Sequence, residues 1–281
     1  MLNQYRFTII ALTTLFFFLT ASPSLAFTEC SKVYSALVFE EKSDDILFEN
    51  RPDSIIYPAS LTKLMTVYLA FEAIKSKKIE MEQTLTASAR AVEASRVNKS
   101  NTLNLKVGDK ILMNQAIKGS IVKSFNELTV MLAEKISGSE WQFVREMNKK
   151  AKDLGMINTN FRNASGLHDY GQFTTDEDLK KLVLTLRKNF PEYYHFFSLK
   201  EFKYEGTKYP THNAVLLKYK GAEGIKTGFT KASGFNLISS ALRDNKRIIS
   251  ILTGCESSKK RDDFTKKLLD DAFKKGVVEY K

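Results

Sequence analysis

Residues 60–74 read SLTKLMTVYLAFEAI, a stretch in which most of the side chains are apolar. Apolar side chains such as Leu64, Val67 and Phe71 cover most of the circumference of the helix that its periodicity predicts. Pro58, two residues earlier, fixes where that helix begins. Because the helix is apolar on nearly all sides, we expect it to be buried between other layers of structure.

Strands are predicted near both ends of the chain, with helices between them. Each pair of predicted strands is joined by a short polar turn, which is typical of a hairpin. The strands cover residues 34–39, 46–48, 235–242 and 248–252, and the helices between them cover residues 116–136, 141–154 and 176–186. This order predicts one sheet assembled from distant segments, flanked by helices and carrying a helical subdomain.

A last helix follows the second hairpin. Its apolar face includes Phe264, Leu268 and Phe273, and lysines cover its other side. Packing against the sheet is the ordinary fate of such a face. The alternative is that the helix lies on a membrane surface with its lysines towards the lipid headgroups.

The first 26 residues have the features of an export signal. Arg6 gives a positive start, residues 7–19 are almost wholly apolar, and residues 24–26 form a small-residue cleavage site. The apolar run is shorter than the ~20 residues that a membrane-spanning helix needs, which favours cleavage over an anchor. We therefore expect an exported protein, in which residues 27–281 form a single domain, since no linker marks a second one.

The composition narrows the kinds of molecule that the protein is expected to bind. The net charge of +11 is spread over many lysines, which predicts weak attraction to an anionic wall or membrane surface. Export and the lack of a recognition motif argue against nucleic-acid binding. The two cysteines, Cys30 and Cys255, would meet if the first and last strands lie antiparallel, but two free thiols are equally compatible with the sequence.

Ser60 and Lys63 form a Ser-x-x-Lys set. Residues three apart share a helix face, so the amine lies beside the hydroxyl and the pair can act as nucleophile and base. The pattern alone is weak, because it recurs at residues 120–123 and 257–260. Ser60 differs from those repeats because it begins a buried helix, where first-turn N–H groups are free to hold an oxyanion.

Two further elements make the pattern specific. Residues 124–126 read SFN, and residues 226–228 read KTG, just before the predicted C-terminal strand pair. The order Ser-x-x-Lys, Ser-x-Asn, Lys-Thr-Gly is a known signature of penicillin-binding proteins and class A β-lactamases. Phe125 stands where the β-lactamases have Asp, which favours the peptidase branch.

The chain resembles the low-molecular-mass penicillin-binding proteins, specifically the D-alanyl-D-alanine carboxypeptidases. The resemblance is carried by residues 57–63, 124–126, 163–168 and 223–230, and it extends from about Tyr34 to the last helix. It implies a mixed α/β fold of the β-lactamase/transpeptidase type, with an antiparallel sheet and no cofactor or metal. Larger members of the family continue into a β-rich second domain and an amphipathic C-terminal anchor, and we expect neither here.

The resemblance also implies roles for particular residues. Ser60 would attack the carbonyl between two terminal D-alanines, Lys63 would take its proton, and Ser124 would relay that proton to the leaving group. Lysine can act as a base only where burial and a nearby positive charge keep it neutral. The residues that would bind the substrate are Asn126, Lys226, Thr227, Gly228 and Phe229, the last through its backbone N–H, which would share an oxyanion hole with the N–H of Ser60.

Several functions remain open at this stage. The leading one is removal of the terminal D-alanine from pentapeptide stems, with β-lactam antibiotics as acylating inhibitors. The alternatives are an endopeptidase that cuts cross-links, a penicillin-binding sensor, and a β-lactamase. A zinc peptidase is disfavoured because the three histidines are scattered, and among them only His168 lies in a segment that could line the site.

Overall fold

The computed structural model describes Cys30, residues 34–98 and residues 101–275, so the predicted export signal lies outside the described residues. Within these ranges the strands are Ser35–Glu40 (β1), Ile46–Asn50 (β2), Thr84–Thr86 (β3), Lys110–Leu112 (β4), Glu201–Tyr204 (β5), Thr207–Pro210 (β6), Ala222–Thr230 (β7), Gly234–Arg243 (β8) and Lys246–Cys255 (β9). The α-helices are Lys63–Lys75 (α1), Ala89–Ser95 (α2), Met113–Val122 (α3), Asn126–Ser137 (α4), Glu140–Asp153 (α5), Asp176–Asn189 (α6), Ala214–Lys218 (α7) and Ser258–Lys275 (α8).

Five of the strands form one antiparallel sheet. Its order is β2-β1-β9-β8-β7, so the first hairpin of the chain pairs directly with the last. Ser35 on β1 lies opposite Thr253 on β9, more than two hundred residues later. The predicted mixed α/β fold, with one antiparallel sheet built from distant segments and a helical block between them, is confirmed.

The sheet separates two apolar cores, and alternating side chains of its inner strands contribute to both. On β1, Ala36 and Val38 belong to the core under α8, whereas Leu37 and Phe39 belong to the core under the helical block. Phe264 and Leu268 of α8 are buried against the sheet. The predicted packing of the last helix is therefore confirmed, and its apolar face is not available to a membrane surface.

Helix α1 lies between the sheet and the other helices. Ten of its thirteen residues are buried, in agreement with the apolar periodicity of residues 60–74. The hydroxyl of Thr66 donates to the carbonyl of Ala164, which ties the helix to a distant loop at 2.7 Å. No helix in the described part of the chain is both long and apolar enough to cross a membrane.

The single helix predicted over residues 116–136 is wrong, because two helices occupy this region. Helix α3 ends at Val122 and α4 begins at Asn126. Between them Ser124 has a φ of 65°, a left-handed conformation that cannot continue a right-handed helix. Both helices bury an apolar face, so the periodicity continues across a break that it does not reveal.

The Lys-Thr-Gly segment was expected just before the last strand pair, and the structure corrects this. Residues 226–228 lie within β7, a third strand that forms the edge of the sheet beside β8. The prediction missed β7 because its sequence, AEGIKTGFT, contains two glycines and two charged residues and shows little apolar alternation.

The pairing of the cysteines, which the sequence leaves open, is answered by the sheet topology. Cys30 precedes β1 and Cys255 ends β9, and these two strands are antiparallel neighbours. The two sulfurs form a disulfide bond that closes a loop of 225 residues. It ties the segment before β1 to the end of β9, the neighbouring strand in the interior of the sheet.

Candidate active site

Ser60 lies in a tight turn directly before α1. Residues Ala59–Thr62 form a 3-10 helix, and α1 begins at Lys63 rather than at Ser60 as predicted. In a 3-10 helix, residues three apart are nearly eclipsed, so the turn brings Lys63 beside Ser60 more directly than an α-helix does. Ala59 has a φ of 48°, so the residue before Ser60 is held in an unfavourable left-handed conformation.

The amine of Lys63 makes three polar contacts inside the protein. Its Nζ lies 3.1 Å from Ser60 Oγ and 2.8 Å from Asn126 Oδ1, and it also contacts the carbonyl oxygen of Ser165. The two carbonyl-type oxygens can only accept hydrogen bonds. As an ammonium, Lys63 can donate to all three oxygens; as a neutral amine, it can donate to Asn126 and Ser165 and accept from the hydroxyl of Ser60.

Burial and charge both favour that neutral form. Lys63 is fully buried, and the loss of solvation lowers its pKa well below the usual value, with a further lowering from the positive charge of Lys226. Glu127 acts in the opposite direction but is outweighed. Lys226 is itself buried, and burial together with the charge of Arg261 lowers its pKa to about 7.

Ser124 lies between α3 and α4 and faces β7. Its Oγ accepts a hydrogen bond of 2.9 Å from Lys226 Nζ. The next residue, Phe125, turns away and packs its ring edge-on against Phe202 and Tyr209 of the β5–β6 hairpin. The aromatic residue in the middle of the SFN element therefore anchors the break between the helices, while Ser124 and Asn126 on either side point towards the two lysines.

Strand β7 passes close to the turn that carries Ser60. A Cβ atom placed on Gly228 would lie 3.1 Å from the carbonyl oxygen of Pro58 and 3.2 Å from the backbone nitrogen of Ser60. Glycine at position 228 therefore allows the turn to pack closely against the edge of the sheet. This structural role comes in addition to the substrate-binding role that the resemblance implies. Phe229 exposes its side chain and stacks it on Phe235, while Thr227 lines a small cavity beside Lys226.

The loop over residues 163–167 completes the surroundings of Lys63, and the sequence assigned it no role. Asn163 Oδ1 accepts hydrogen bonds from the backbone N–H groups of Gly166 and Leu167, at 2.7 and 3.1 Å. This compact turn aims the carbonyl of Ser165 at Lys63. The segment was part of the resemblance, but a backbone acceptor leaves no signature of its own in a sequence.

Asn236 is a second residue that no sequence motif indicated. It lies on β8, is fully buried, and donates from Nδ2 to the carbonyls of Tyr57 and Pro58 at 3.1 and 3.3 Å. Its Oδ1 accepts from the N–H of Gly254 at 2.9 Å. The side chain therefore fastens the turn before Ser60 to the centre of the sheet.

The histidines occupy different surroundings. His168 lies beside the turn that precedes Ser60, with its ring edge-on to Tyr57 at 5.0 Å. Burial and the neighbouring charges of Lys123 and Lys226 lower the pKa of His212 to about 4. His195 is exposed, and its Nδ1 contacts the carbonyl of Glu192. Among the residues that the structure describes, no group of three or more His, Cys, Asp or Glu side chains could hold a metal ion.

The fold and this arrangement together place the chain in the class of transpeptidase-like, penicillin-binding proteins. It belongs to the D-alanyl-D-alanine carboxypeptidase family, whose sequence profile matches residues 26–257. The solved structure of penicillin binding protein 5 from Haemophilus influenzae superposes with a TM-score of 0.81 and 35% identity, covering 85% of this chain and 70% of that one.

Curated relatives agree with that assignment. The D-alanyl-D-alanine carboxypeptidase DacC of Escherichia coli is 34% identical over 241 residues, which cover 85% of this chain. The D-alanyl-D-alanine endopeptidase of the same organism is less similar, at 28% identity over 78% of this chain and 70% of the relative. The present chain spans 60% of the length of DacC.

Proposed function

We propose that this protein is a serine-type D-alanyl-D-alanine carboxypeptidase that removes the terminal D-alanine from peptidoglycan pentapeptide stems. The observation that carries the proposal is the set of contacts around Lys63: a buried amine with a lowered pKa that lies 3.1 Å from Ser60 Oγ and is held by two carbonyl-type acceptors. The family membership, and the name of a similar penicillin binding protein, support the substrate class and the expectation of β-lactam binding.

In the proposed acylation step, Ser60 is the nucleophile and Lys63 the general base. The proton of the Ser60 hydroxyl passes to Lys63 Nζ while Oγ attacks the carbonyl carbon between the two D-alanines. The C–N bond then breaks, and the leaving D-alanine nitrogen takes up the proton, relayed by Ser124. The backbone N–H groups of Ser60 and Phe229 would stabilise the oxyanion of the tetrahedral intermediate.

Substrate binding would use the edge strand β7 and the SFN element. Lys226 and Thr227 would receive the terminal carboxylate of the peptide, since a cation beside a hydroxyl forms charge-assisted hydrogen bonds with it. Asn126 would hold the backbone of the substrate through its amide N–H while its oxygen keeps Lys63 oriented. Water then attacks the acyl-enzyme ester, releasing the shortened peptide and restoring the hydroxyl of Ser60.

The activity is tested by incubating residues 27–281 with muropeptides that carry pentapeptide stems and with cross-linked dimers, followed by mass spectrometry. The proposal expects loss of one alanine from the monomers, and no loss with the Ser60→Ala variant. Cleavage of dimers without trimming of monomers would support the endopeptidase instead. Rapid turnover of penicillin, rather than slow release, would support a β-lactamase, and acylation without turnover a sensor.

We also propose that the protein acts outside the cytoplasm, at the periplasmic or wall side of the cytoplasmic membrane. The apolar stretch and small-residue cleavage site in residues 1–26 support export. The disulfide between Cys30 and Cys255 is consistent with an oxidising compartment. N-terminal sequencing of the protein purified from a periplasmic or wall fraction tests the proposal, which expects a mature chain beginning near Phe27.

A further inference from the structure

A groove of about 550 Å³ lies on the helical block, and neither Ser60 nor Lys63 is among the residues that line it. Its walls come from α2, from the end of α4, from α5 and from the residues just before the 163–167 loop. The side chains that decide its chemistry are Arg90, Glu134, Trp141, Arg145 and Arg162. Sites for small ligands have volumes of roughly 300–1,000 Å³, so the groove has the size of a binding site.

Trp141 gives the groove an aromatic surface. It is the only tryptophan of the chain, and 69% of it is exposed. The guanidinium of Arg145, one turn later on α5, lies 5.0 Å from the centre of the indole ring, in the range of a cation–π contact. An aromatic ring that is open to solvent offers a flat apolar platform, on which the C–H face of a sugar ring can stack.

The groove is lined by both arginine and glutamate side chains, so its electrostatic potential is not strongly positive or strongly negative. Arg90 pairs with Glu140 at 2.7 Å and with Glu93 at 3.1 Å, so its charge is offset. Arg162 is half exposed and lies 3.8 Å from Asp169, which leaves donors of its guanidinium for another partner. Hydrogen-bonding side chains of both charges around an aromatic platform suit a hydroxyl- and amide-bearing ligand better than a polyanion.

The groove also shares a wall with the loop that contacts Lys63. Glu140 Oε1 accepts the backbone N–H of Ala164 at 3.0 Å, and the next residue, Ser165, contacts Lys63 through its carbonyl. Arg162 precedes Ser165 by three residues, which span at most about 11 Å. The four stem residues that precede the scissile bond span about 13 Å when extended, a length comparable to that separation.

We propose that this groove binds the N-acetylated amino sugars of the glycan strand from which the stem peptide extends. The inference rests on the proposed function, since it assigns the remote part of the same substrate to a second subsite. Binding there raises the local concentration of stem peptide at Ser60 without contacting the reacting bond. It therefore affects the apparent affinity for glycan-linked stems and leaves the chemical step unchanged.

Because Trp141 is the only tryptophan, its fluorescence reports on the groove without any requirement for catalysis. The probes are peptide-free glycan strands, prepared with an amidase, and a sugar-free pentapeptide, each titrated into the Ser60→Ala variant of residues 27–281. We expect saturable quenching or a spectral shift with the glycan and none with the peptide. A response to the peptide alone, or to neither probe, overturns the proposal whether or not the protein proves to be a carboxypeptidase.

Kinetics give an independent readout. In Trp141→Ala we expect the KM for disaccharide-linked pentapeptide to rise at least about fivefold, as for tryptophans that become buried when a partner binds, with kcat unchanged. The KM for sugar-free pentapeptide and the rate of penicillin acylation should stay at the wild-type values. Ile157→Ala removes another exposed apolar side chain, lying outside the groove, and should change none of these. An equal rise in KM for both substrates would contradict a glycan subsite.

Discussion

The amine of Lys63 lies 2.8 Å from the side-chain oxygen of Asn126, although the two residues are 63 positions apart in the sequence. Asn126 opens α4 and Lys63 opens α1, so the start of one buried helix meets the start of another. Because an amide oxygen accepts a hydrogen bond without carrying a full charge, it orients the amine of Lys63 while leaving it neutral. This contact links the geometry of the fold to the chemistry proposed for Ser60.

Replacing Asn126 by Asp should switch off that chemistry. A carboxylate at this distance favours the protonated amine, so it raises the pKa of Lys63 and removes the free base at neutral pH. We expect penicillin acylation at pH 7 to fall by about 10²-fold or more, with the rate recovering as the pH rises. Stopped-flow acylation measured from pH 6 to pH 10 tests this.

The matched control is Asn245→Asp, which adds the same charge in the exposed turn between β8 and β9. It should leave both the rate and the pH profile unchanged. If Asn126→Asp acylates at the wild-type rate at pH 7, then the neutrality of Lys63 does not depend on this contact.

Gly166 is predicted to be essential to the position of Ser60. It has a φ of 83°, and a Cβ atom there would lie 1.9 Å from the carbonyl oxygen of Ala59, so an alanine has to displace the turn that carries Ser60, the proposed nucleophile. Misplacement by about 1 Å can cost about 10²-fold in rate, and we expect Gly166→Ala to lose at least tenfold in acylation. Labelling with fluorescent penicillin over a time course measures this loss.

Gly155 provides the comparison, because it has a similar φ of 72° and open space where a Cβ would lie. Gly155→Ala should lose about 1 kcal/mol of stability from its left-handed backbone and keep its acylation rate. Equal acylation rates in the two variants would show that the contact between Gly166 and Ala59 does not position the nucleophile.

Asp176 should make the stability of the protein depend on pH. It is fully buried at the start of α6, accepts hydrogen bonds from Ser35 and Thr253, and has its pKa raised to about 7 by burial. Between pH 3.8 and 7 the folded state therefore holds a proton that the unfolded state has lost, and stability falls as the pH rises through this window.

In Asp176→Asn this contribution is absent. The Tm of the variant minus that of the wild type should therefore increase from pH 4 to pH 8, as measured by scanning calorimetry. Asp244→Asn, in an exposed turn, should show no such trend. A difference in Tm that stays constant or decreases across this range would contradict the raised pKa of Asp176.

The sequence predicted the layers of the fold because burial leaves a periodic pattern. Residues 60–74 are apolar around the helix, and α1 is indeed buried between layers. The same signal failed between α3 and α4, because the break depends on the left-handed backbone of Ser124 rather than on any change in hydrophobicity. The periodic pattern also failed to reveal β7, because this strand contains two glycines and two charged residues and shows little alternation between apolar and polar side chains.

The candidate site was predictable only where side chains carry the pattern. Ser60, Lys63, Ser124, Asn126 and Lys226 all lie in short motifs. The fold brings Ser60 and Asn126 into contact with Lys63, and Ser124 into contact with Lys226. The carbonyl of Ser165 and the amide of Asn236 were missed. Every residue has a backbone carbonyl, so the carbonyl of Ser165 leaves no sequence pattern. Asn236 lies on β8, 179 positions from Tyr57, whose carbonyl it binds, so no local motif connects the two residues.

The most direct test of the account is to identify the residue that a β-lactam acylates. Wild-type protein treated with labelled penicillin at pH 7 should carry one adduct, on the peptide that contains Ser60, and Ser60→Ala of equal Tm should carry none. An adduct on any other serine, or undiminished labelling of Ser60→Ala, would contradict the claim that Lys63 activates Ser60.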